Sequence, residues 1–458
     1  MLVPGLLLSL AVPLLAGLPW ILFAQQGRSA RSWPLAIAYG YVLGLLVMIA
    51  GMRALSLAHL PIGLLHASII PALVGSIGWW RIRNATLLTQ TAAEMRSTWQ
   101  ATASVARAIC LVLLLLIALR LVTLGAEILL RPVFPWEAVS SVAAKARVWY
   151  ESGALVPFVS PAAWLDGAGN FTDADAGAFA LPSLLLVWTA NAAGQWHEAA
   201  VGFAWWMLGV SLTLALYGHV RRSGGGVAFA LTVAYLFISL PLVDLHIALA
   251  GAPQWIAAAG VGLAGCAMLR WLESPSRELM CCFAVGAALA LFSLASTWPW
   301  FAIFALALAL RHWPRIAGKL AVAAPLVVLV VLLALMQTPF RIGGVEYRLQ
   351  VAAGWPETLE SLFLLDNWHL LYGVSLLIAL AGWRYLATPQ WLARTWIVAA
   401  GLSLLFVWGV LSLPGVWYGG LRDFSYAALQ FAPILVLWAA LAARAAAVGT
   451  AQQAVVAK

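Results

Sequence analysis

The stretch from Phe134 to Tyr150 concentrates residues able to do chemistry in a chain that has few of them. Glu137 comes directly after Trp136, and Lys145 and Arg147 follow two positions apart. A carboxylate can accept a proton from a reacting hydroxyl group, and lysine and arginine can bind a phosphate. The same side chains can instead pair with one another across a helix turn at a membrane surface.

Three aspartates follow before the next long apolar segment. Asp166, Asp173 and Asp175 offer carboxylate oxygens, the ligands that Mg²⁺, Mn²⁺ and Ca²⁺ prefer. They could provide a second carboxylate for a reaction or hold a metal ion. An Asp-x-Asp pair is equally typical of a solvated loop, so both interpretations stay open.

Other charged residues lie near the ends of later apolar segments. His246 comes two residues after Asp244, where it can bind a sugar or a metal, or form a structural hydrogen bond. Three arginines offer guanidinium forks suited to phosphate: Arg341, Arg348 and Arg422. Nearby Glu346, Glu357 and Asp423 could pair with these arginines instead.

The composition identifies the setting for these residues. Of 458 residues, 64% are hydrophobic and 9% are charged, and the mean hydropathy is +0.96. Soluble domains carry roughly a quarter charged residues. The net charge of +9 comes from basic residues standing singly or in pairs beside apolar segments, which is typical of membrane topology and not of nucleic-acid binding. The four cysteines fall in apolar segments, and their spacing indicates neither a disulfide framework nor a metal site. The sequence therefore predicts an all-α polytopic membrane protein.

Apolar runs of a length that can cross a bilayer predict about 13 transmembrane helices. The first is expected to be an uncleaved span with the N-terminus outside and the C-terminus cytoplasmic. The short run 178–193 is predicted to lie at the outer interface, because counting it as a crossing would move many Lys and Arg residues outside. The predicted spans are 3–24, 34–58, 62–80, 105–130, 199–219, 227–243, 255–271, 279–296, 298–311, 318–336, 370–387, 391–411 and 425–443.

This topology leaves two large outer loops, 132–198 and 337–369, which hold most of the acids. The run 136–152 has no helix breaker before Gly153 and predicts a short interfacial helix with Glu137, Ser141 and Lys145 on one face. The chain divides into an N-terminal three-span segment with an inner loop (1–104), a core module (105–311) and C-terminal spans (312–458).

Several short motifs resemble the first module of the GT-C glycosyltransferases, polytopic enzymes that use polyprenyl-phosphate-linked sugars and include protein O-mannosyltransferases and lipid A aminoarabinose transferases. The resemblance covers about 130–270 and, more weakly, 410–445. Glu137 stands where relatives usually have Asp, Val139 where they have a bulkier residue, and 251–254 (GAPQ) lacks their aromatic and Asp. The motifs are 135–138 (PWEA) with 145–147 (KAR), 180–188 (ALPSLLLVW), 194–199 (GQWHEA), 219–225 (HVRRSGG), 240–246 (LPLVDLH) and 422–426 (RDFSY).

The resemblance implies an inverting glycosyltransferase with a periplasmic active site in the bacterial inner membrane, acting on a glycan, lipid or protein acceptor of the cell envelope. Glu137 would be the catalytic base, with Asp173 and Asp175 as further catalytic carboxylates. Asp166 and Asp173 would hold Mg²⁺ or Mn²⁺, if a metal is used. Substrate binding would fall to Lys145, Arg147, Arg341, Arg348, Arg422 and His246. The alternatives are a lipid or glycan transporter (flippase) and a non-catalytic scaffold of GT-C-like architecture.

Overall fold

The computed structural model of the chain is mostly helical and divides into two compact units. It describes residues 2–26, 32–83, 97, 99–100, 102–173, 176–177, 179–313, 315, 334, 336–338, 340–342, 345–347, 350–351, 355–386, 388–412 and 421–456. The first unit comprises 1–239, 243–267 and 276–295, and the second comprises 240–242, 268–275 and 296–458. The predicted division into three segments stays a prediction.

The first unit contains most of the long helices. Its helices are α1 (Leu2–Ala24), α2 (Trp33–Leu57), α3 (Leu64–Ile82), α4 (Ser104–Leu130), a π-helix (Ala138–Ala143), α5 (Ala144–Ser152), α6 (Pro161–Leu165), α7 (Leu181–Ala193), α8 (Phe203–Arg222), α9 (Val227–Ile238), most of α10 (Pro241–Ala248), most of α11 (Pro253–Glu273) and α12 (Arg277–Leu291).

Helices α1 and α2 pack with their backbones in direct contact. A Cβ atom added at Gly44 would lie 1.7 Å from the carbonyl oxygen of Pro13, and one added at Gly17 would lie 2.0 Å from that of Gly40. Small residues allow membrane helices to approach this closely, because van der Waals packing replaces the hydrophobic effect in lipid. These glycines therefore set the spacing of the first two helices.

Seven helices in the described part of the chain are long and apolar enough to cross a membrane, and an eighth results if α9 and α10 form one span bent by 62°. The chain is thus a multi-pass membrane protein, but the predicted number of about 13 spans is not confirmed. Helices α12, α13 and α15 have only 15, 15 and 11 residues. The predicted span 318–336 lies almost entirely outside the described residues.

Helix α7 covers most of the run that was predicted to lie at the outer interface, and it is surrounded by the protein. All of its 13 residues except Asn191 are buried, so it presents no apolar face to lipid. The indole nitrogen of Trp188 donates to the carbonyl of Ser9 in α1 at 2.9 Å, and Asn191 Nδ2 donates to the carbonyl of Ile62 at 2.8 Å. These bonds hold α7 inside the first unit. At 1.5 Å per residue it is about 20 Å long, too short to cross a bilayer core of about 30 Å.

The second unit adds helices and four very short strands, which the all-α prediction did not include. Strands β1 and β2 pair antiparallel, with Arg341 opposite Glu346, and β3 and β4 pair antiparallel. In its helical core the indole nitrogen of Trp300 donates to Gln430 Oε1 at 2.7 Å. The elements are α13 (Trp298–His312), β1 (Phe340–Ile342), β2 (Val345–Tyr347), β3 (Gln350–Val351), α14 (Trp355–Phe363), α15 (Leu371–Ala381), α16 (Trp383–Leu386), α17 (Pro389–Val410), β4 (Leu411–Ser412) and α18 (Leu421–Val456).

Candidate functional site

Glu137 lies in the first turn of the helical segment that follows the candidate membrane helix α4. The backbone N–H of Val133 donates to the carbonyl of Glu198 at 3.1 Å, which fixes the chain just before this segment. A π-helix follows Glu137 and continues into α5, which ends at Gly153 with a left-handed φ of +63°. The predicted helix 136–152 is confirmed. π-Helical turns inside helices are rare, and those that occur are often found at functional sites.

The carboxylate of Glu137 is half-buried and hydrogen-bonded to a residue from another part of the first unit. Gln254 Nε2 donates to Glu137 Oε2 at 2.7 Å, and the Gln254 side chain is itself buried. The bond fixes one oxygen of the carboxylate. A carboxylate held in this way keeps its acceptor atoms in a defined direction, as a general base requires.

The turn that delivers Gln254 is itself held in place. Trp205 Nε1 donates to the carbonyl of Ala252 at 2.8 Å, and Trp255 Nε1 donates to the carbonyl of Trp205 at 3.0 Å. Gly251 has φ +97°, and a Cβ added there would lie 2.9 Å from Val133 Cγ1 and 3.1 Å from Ala138 Cβ. Glycine therefore lets this turn lie against the segment that carries Glu137.

Ser141 and Lys145 meet one aspartate, so they do lie on one face of the helical segment. Ser141 Oγ donates to Asp173 Oδ2 at 2.8 Å, and the Lys145 ammonium forms an ion pair with the same oxygen. Lys145 is 4% exposed and Asp173 is 5% exposed. A buried ion pair of this kind is sensitive to the loss of either partner, because the remaining charge stays desolvated.

The loop before Asp173 is bound to the helix that it crosses. The Asp173 N–H donates to the carbonyl of Val159 at 3.0 Å, and Trp149 Nε1 donates to the carbonyl of Val156 at 2.8 Å. The Lys145 ammonium lies 6.0 Å from the ring centre of Phe158. Asp173 thus joins the loop to α5, a positioning role, and its predicted catalytic role stays a prediction.

Arg147 lies on the exposed side of α5 among acids. Its Nε donates to Glu151 Oε1 at 3.0 Å, and its Nη1 donates to Glu198 Oε1 at 3.0 Å. Trp196 Nε1 donates to the same oxygen of Glu198 at 2.9 Å. The hydrogen bond to Glu151, and then the negative charges of Glu151 and Glu198, raise the pKa of Arg147. Arg147 stays protonated and accessible.

The remaining predicted site residues are distributed differently. Asp166 is exposed in the turn after α6, and His246 is buried in α10. Asp244 pairs with Arg120 of α4 at 3.0 Å, and Glu127 pairs with Arg131 at 2.9 Å. Asp175 and Arg348 lie outside the described residues. The backbones of Arg341 and Arg422 are described in β1 and α18, but their side chains are not.

A metal at Asp173 would have to compete with a lysine. The Oδ2 atom of Asp173 already contacts the Lys145 ammonium and the Ser141 hydroxyl. Within the described ranges, no three or more His, Cys, Asp or Glu side chains are grouped so as to hold a metal ion. Asp173 and its neighbours therefore do not fit a metal site as they stand. The predicted Mg²⁺ or Mn²⁺ stays a prediction.

Gln254 belongs to this arrangement although no pattern in the sequence predicts a role for it. It contacts Glu137 across 117 positions of the chain, and no local pattern indicates such a partner. The only sequence signal is the Gly-Ala-Pro-Gln turn at 251–254, where the GT-C pattern is absent.

Comparison with known protein families, with curated proteins and with solved structures finds no match to this chain. The class that the fold defines is a multi-pass helical membrane protein. The likeness to GT-C glycosyltransferases rests on the short motifs alone.

Proposed function

We propose that this chain is a membrane glycosyltransferase of the GT-C type. It would transfer a sugar from a polyprenyl-phosphate donor to an acceptor on the periplasmic side of a bacterial inner membrane. The observation that carries the proposal is the half-buried carboxylate of Glu137, oriented by Gln254 just beyond the end of a candidate membrane helix. The orientation, with the N-terminus outside and the C-terminus cytoplasmic, is part of the proposal.

The chemistry assigns one proton transfer to Glu137. The carboxylate takes the proton of the acceptor hydroxyl group as its oxygen attacks the anomeric carbon from the face opposite the phosphate. The bond between that carbon and the phosphate oxygen breaks, and polyprenyl phosphate leaves with the bonding electron pair. The product carries the inverted anomeric configuration. A positioned general base of this kind contributes about 10²–10⁴-fold to the rate.

Two predicted phosphate ligands lie far along the helix from Glu137. At up to 1.5 Å per residue, Lys145 and Arg147 are displaced by roughly 10–15 Å along the axis. Arg147 is already paired with acids of the chain, Glu151 and Glu198. Lys145 also contacts Asp173. We therefore assign Lys145 and Asp173 to positioning, and Arg147 to contacts farther along the donor or acceptor.

We therefore assign binding of the donor phosphate to the other predicted cations. Arg341, Arg348 and Arg422 offer guanidinium forks that match phosphate oxygens. This assignment rests on residue type and on the predicted topology. His246, Asp166 and Asp175 keep their predicted roles as secondary candidates.

The proposal is tested by an assay with the purified full-length chain in lipid nanodiscs. A panel of undecaprenyl-phosphate monosaccharides with labelled sugars is supplied, with an envelope extract from the native organism as the source of acceptors. We expect label in a new glycan, lipid or protein product and release of undecaprenyl phosphate. In sealed vesicles, movement of the donor between leaflets without any product would contradict the proposal in favour of a transporter. Donor binding with neither product nor movement would indicate a non-catalytic scaffold.

A further inference from the structure

The second unit contains a cluster of arginines that the proposed reaction does not use. Arg270 and Glu273 end α11, Arg311 belongs to the last turn of α13, and Arg394 lies in the first turns of α17. The carboxylate of Glu273 pairs with Arg270 and lies 3.5 Å from Arg394 Nη1. Arg311 Nη1 donates to the carbonyl of Leu272. These contacts bring the ends of three helices together.

Positive charge exceeds negative charge in the segments that form this cluster. The printed contacts join three arginines to the end of α11 and provide one acid among them, so the net charge of these four side chains is 3 − 1 = +2. The acid is Glu273, and the arginines are Arg270, Arg311 and Arg394. Arg311 and Arg394 both contact the last turn of α11, through the Leu272 carbonyl and the Glu273 carboxylate, so like charges converge there and repel each other. An anion placed among them would relieve this repulsion.

Tryptophan rings line the same cluster. The Arg394 guanidinium lies 3.7 Å from the ring centre of Trp391, and that of Arg311 lies 5.5 Å from the ring centre of Trp271. Trp313, one residue beyond α13, is 65% exposed. Tryptophan concentrates at the level of lipid headgroups, where its ring contacts the acyl boundary and its N–H reaches polar groups. The rings therefore place the arginines at headgroup depth.

The rule that loops carry Lys and Arg on the inner side does not account for this geometry. Solvated Lys and Arg side chains in the loops satisfy that rule. It does not require the side chains to be buried or to lie close to one another. Here Arg270 is 6% exposed and Arg394 is 4% exposed. Burying guanidinium groups is costly, and charged groups held inside a membrane protein indicate function. Arg311, by contrast, is exposed and accessible to a ligand.

We infer that this cluster binds the phosphate of an anionic lipid, with phosphatidylglycerol as the simplest such ligand. Guanidinium forks match phosphate oxygens in pairs. Basic pockets between membrane helices bind phosphate headgroups, and each arginine near such a surface contributes about a fivefold increase in affinity. Lipid phosphate and free inorganic phosphate share this chemistry, so the experiment must separate them.

The test uses native mass spectrometry and thermal unfolding of the full-length chain in nanodiscs containing phosphatidylcholine with or without phosphatidylglycerol. We expect phosphatidylglycerol to stay bound in preference to phosphatidylcholine and to raise the melting temperature. Arg311→Gln removes one exposed guanidinium and should weaken retention about fivefold. Arg131→Gln, a matched exposed arginine at the end of α4, should leave retention unchanged. Inorganic phosphate at millimolar concentration should not displace the lipid.

Two results would overturn the inference. Equal retention of phosphatidylglycerol and phosphatidylcholine would show that the arginines serve topology alone. Full displacement by inorganic phosphate, with no lipid preference, would assign the cluster to a soluble anion. Arg394 is buried, so Arg394→Gln could change folding as well as lipid binding. Arg311→Gln is therefore the variant used in the test. None of these readouts depends on glycosyl transfer.

Discussion

The two charged regions of this protein differ in how their charges are matched. Around Glu137, Lys145 pairs with Asp173, and Arg147 lies between Glu151 and Glu198. In the arginine cluster of the second unit, Arg270 and Arg394 share Glu273, and Arg311 contacts a carbonyl and a ring. The first region balances cations with acids of the chain itself. The second has more cations than acids.

The difference indicates two kinds of site. Matched pairs hold a segment rigidly, which suits a base that must keep one direction, and Gln254 provides that direction for Glu137. An excess of guanidinium groups at headgroup depth suits an anion supplied from outside the chain. This difference is consistent with the two proposals, chemistry in the first region and lipid binding in the second.

The largest effect on stability is expected from breaking the buried pair of the first region. Asp173→Ala leaves the Lys145 ammonium buried without its carboxylate, and we expect a loss of about 3–5 kcal/mol of unfolding free energy. Equilibrium unfolding in mild detergent measures it. The exposed Asp166→Ala should change stability by less than about 0.5 kcal/mol. Equal effects of the two variants would show that Asp173 does not anchor the loop.

The next effect concerns the orientation of Glu137. Gln254→Ala removes a hydrogen bond to a charged group, worth about 1.5–3 kcal/mol. If the bond aligns the base in the transition state, kcat should fall roughly 10–150-fold. Gln195→Ala, a matched change at an exposed glutamine, should leave kcat unchanged. A normal kcat in Gln254→Ala would mean that Glu137 is aligned without it.

A smaller effect should distinguish the second region from the first. Glu273→Gln removes the acid shared by Arg270 and Arg394, and because Glu273 is partly exposed we expect a loss of about 1–2 kcal/mol in phosphatidylcholine nanodiscs. Phosphatidylglycerol should restore part of this loss, since its phosphate can take the place of the carboxylate. The same lipid should not rescue Asp173→Ala. Rescue of both variants, or of neither, would remove the difference between the regions.

Local patterns in the sequence predicted the helix that carries the site. The unbroken run up to Gly153 indicated a helix over 136–152, and the spacing of Ser141 and Lys145 indicated a shared face. Long apolar runs likewise identified the candidate membrane helices α1, α2, α4, α8, α11, α17 and α18. These features depend on residues that are close together in the chain, so patterns in the sequence are enough to predict them.

Features that depend on distant partners could not be predicted in the same way. Glu137 meets Gln254 only because two tryptophans and Gly251 position a turn more than a hundred residues away. Helix α7 is apolar enough to lie at an interface, yet bonds to Ser9 and Ile62 bury it. The rule that inner loops carry Lys and Arg gives no reason for Arg270, Arg311 and Arg394 to converge.

The most direct test of the central claim is the transfer rate of Glu137→Gln, measured in the nanodisc assay described above. Glutamine keeps the shape of the side chain but cannot accept the proton. We predict an unchanged melting temperature and a loss of at least about 100-fold in transfer. Glu360→Gln, which changes an exposed acid in α14, should transfer at the normal rate. Full transfer by Glu137→Gln would contradict the account, because the base would then have to be another residue.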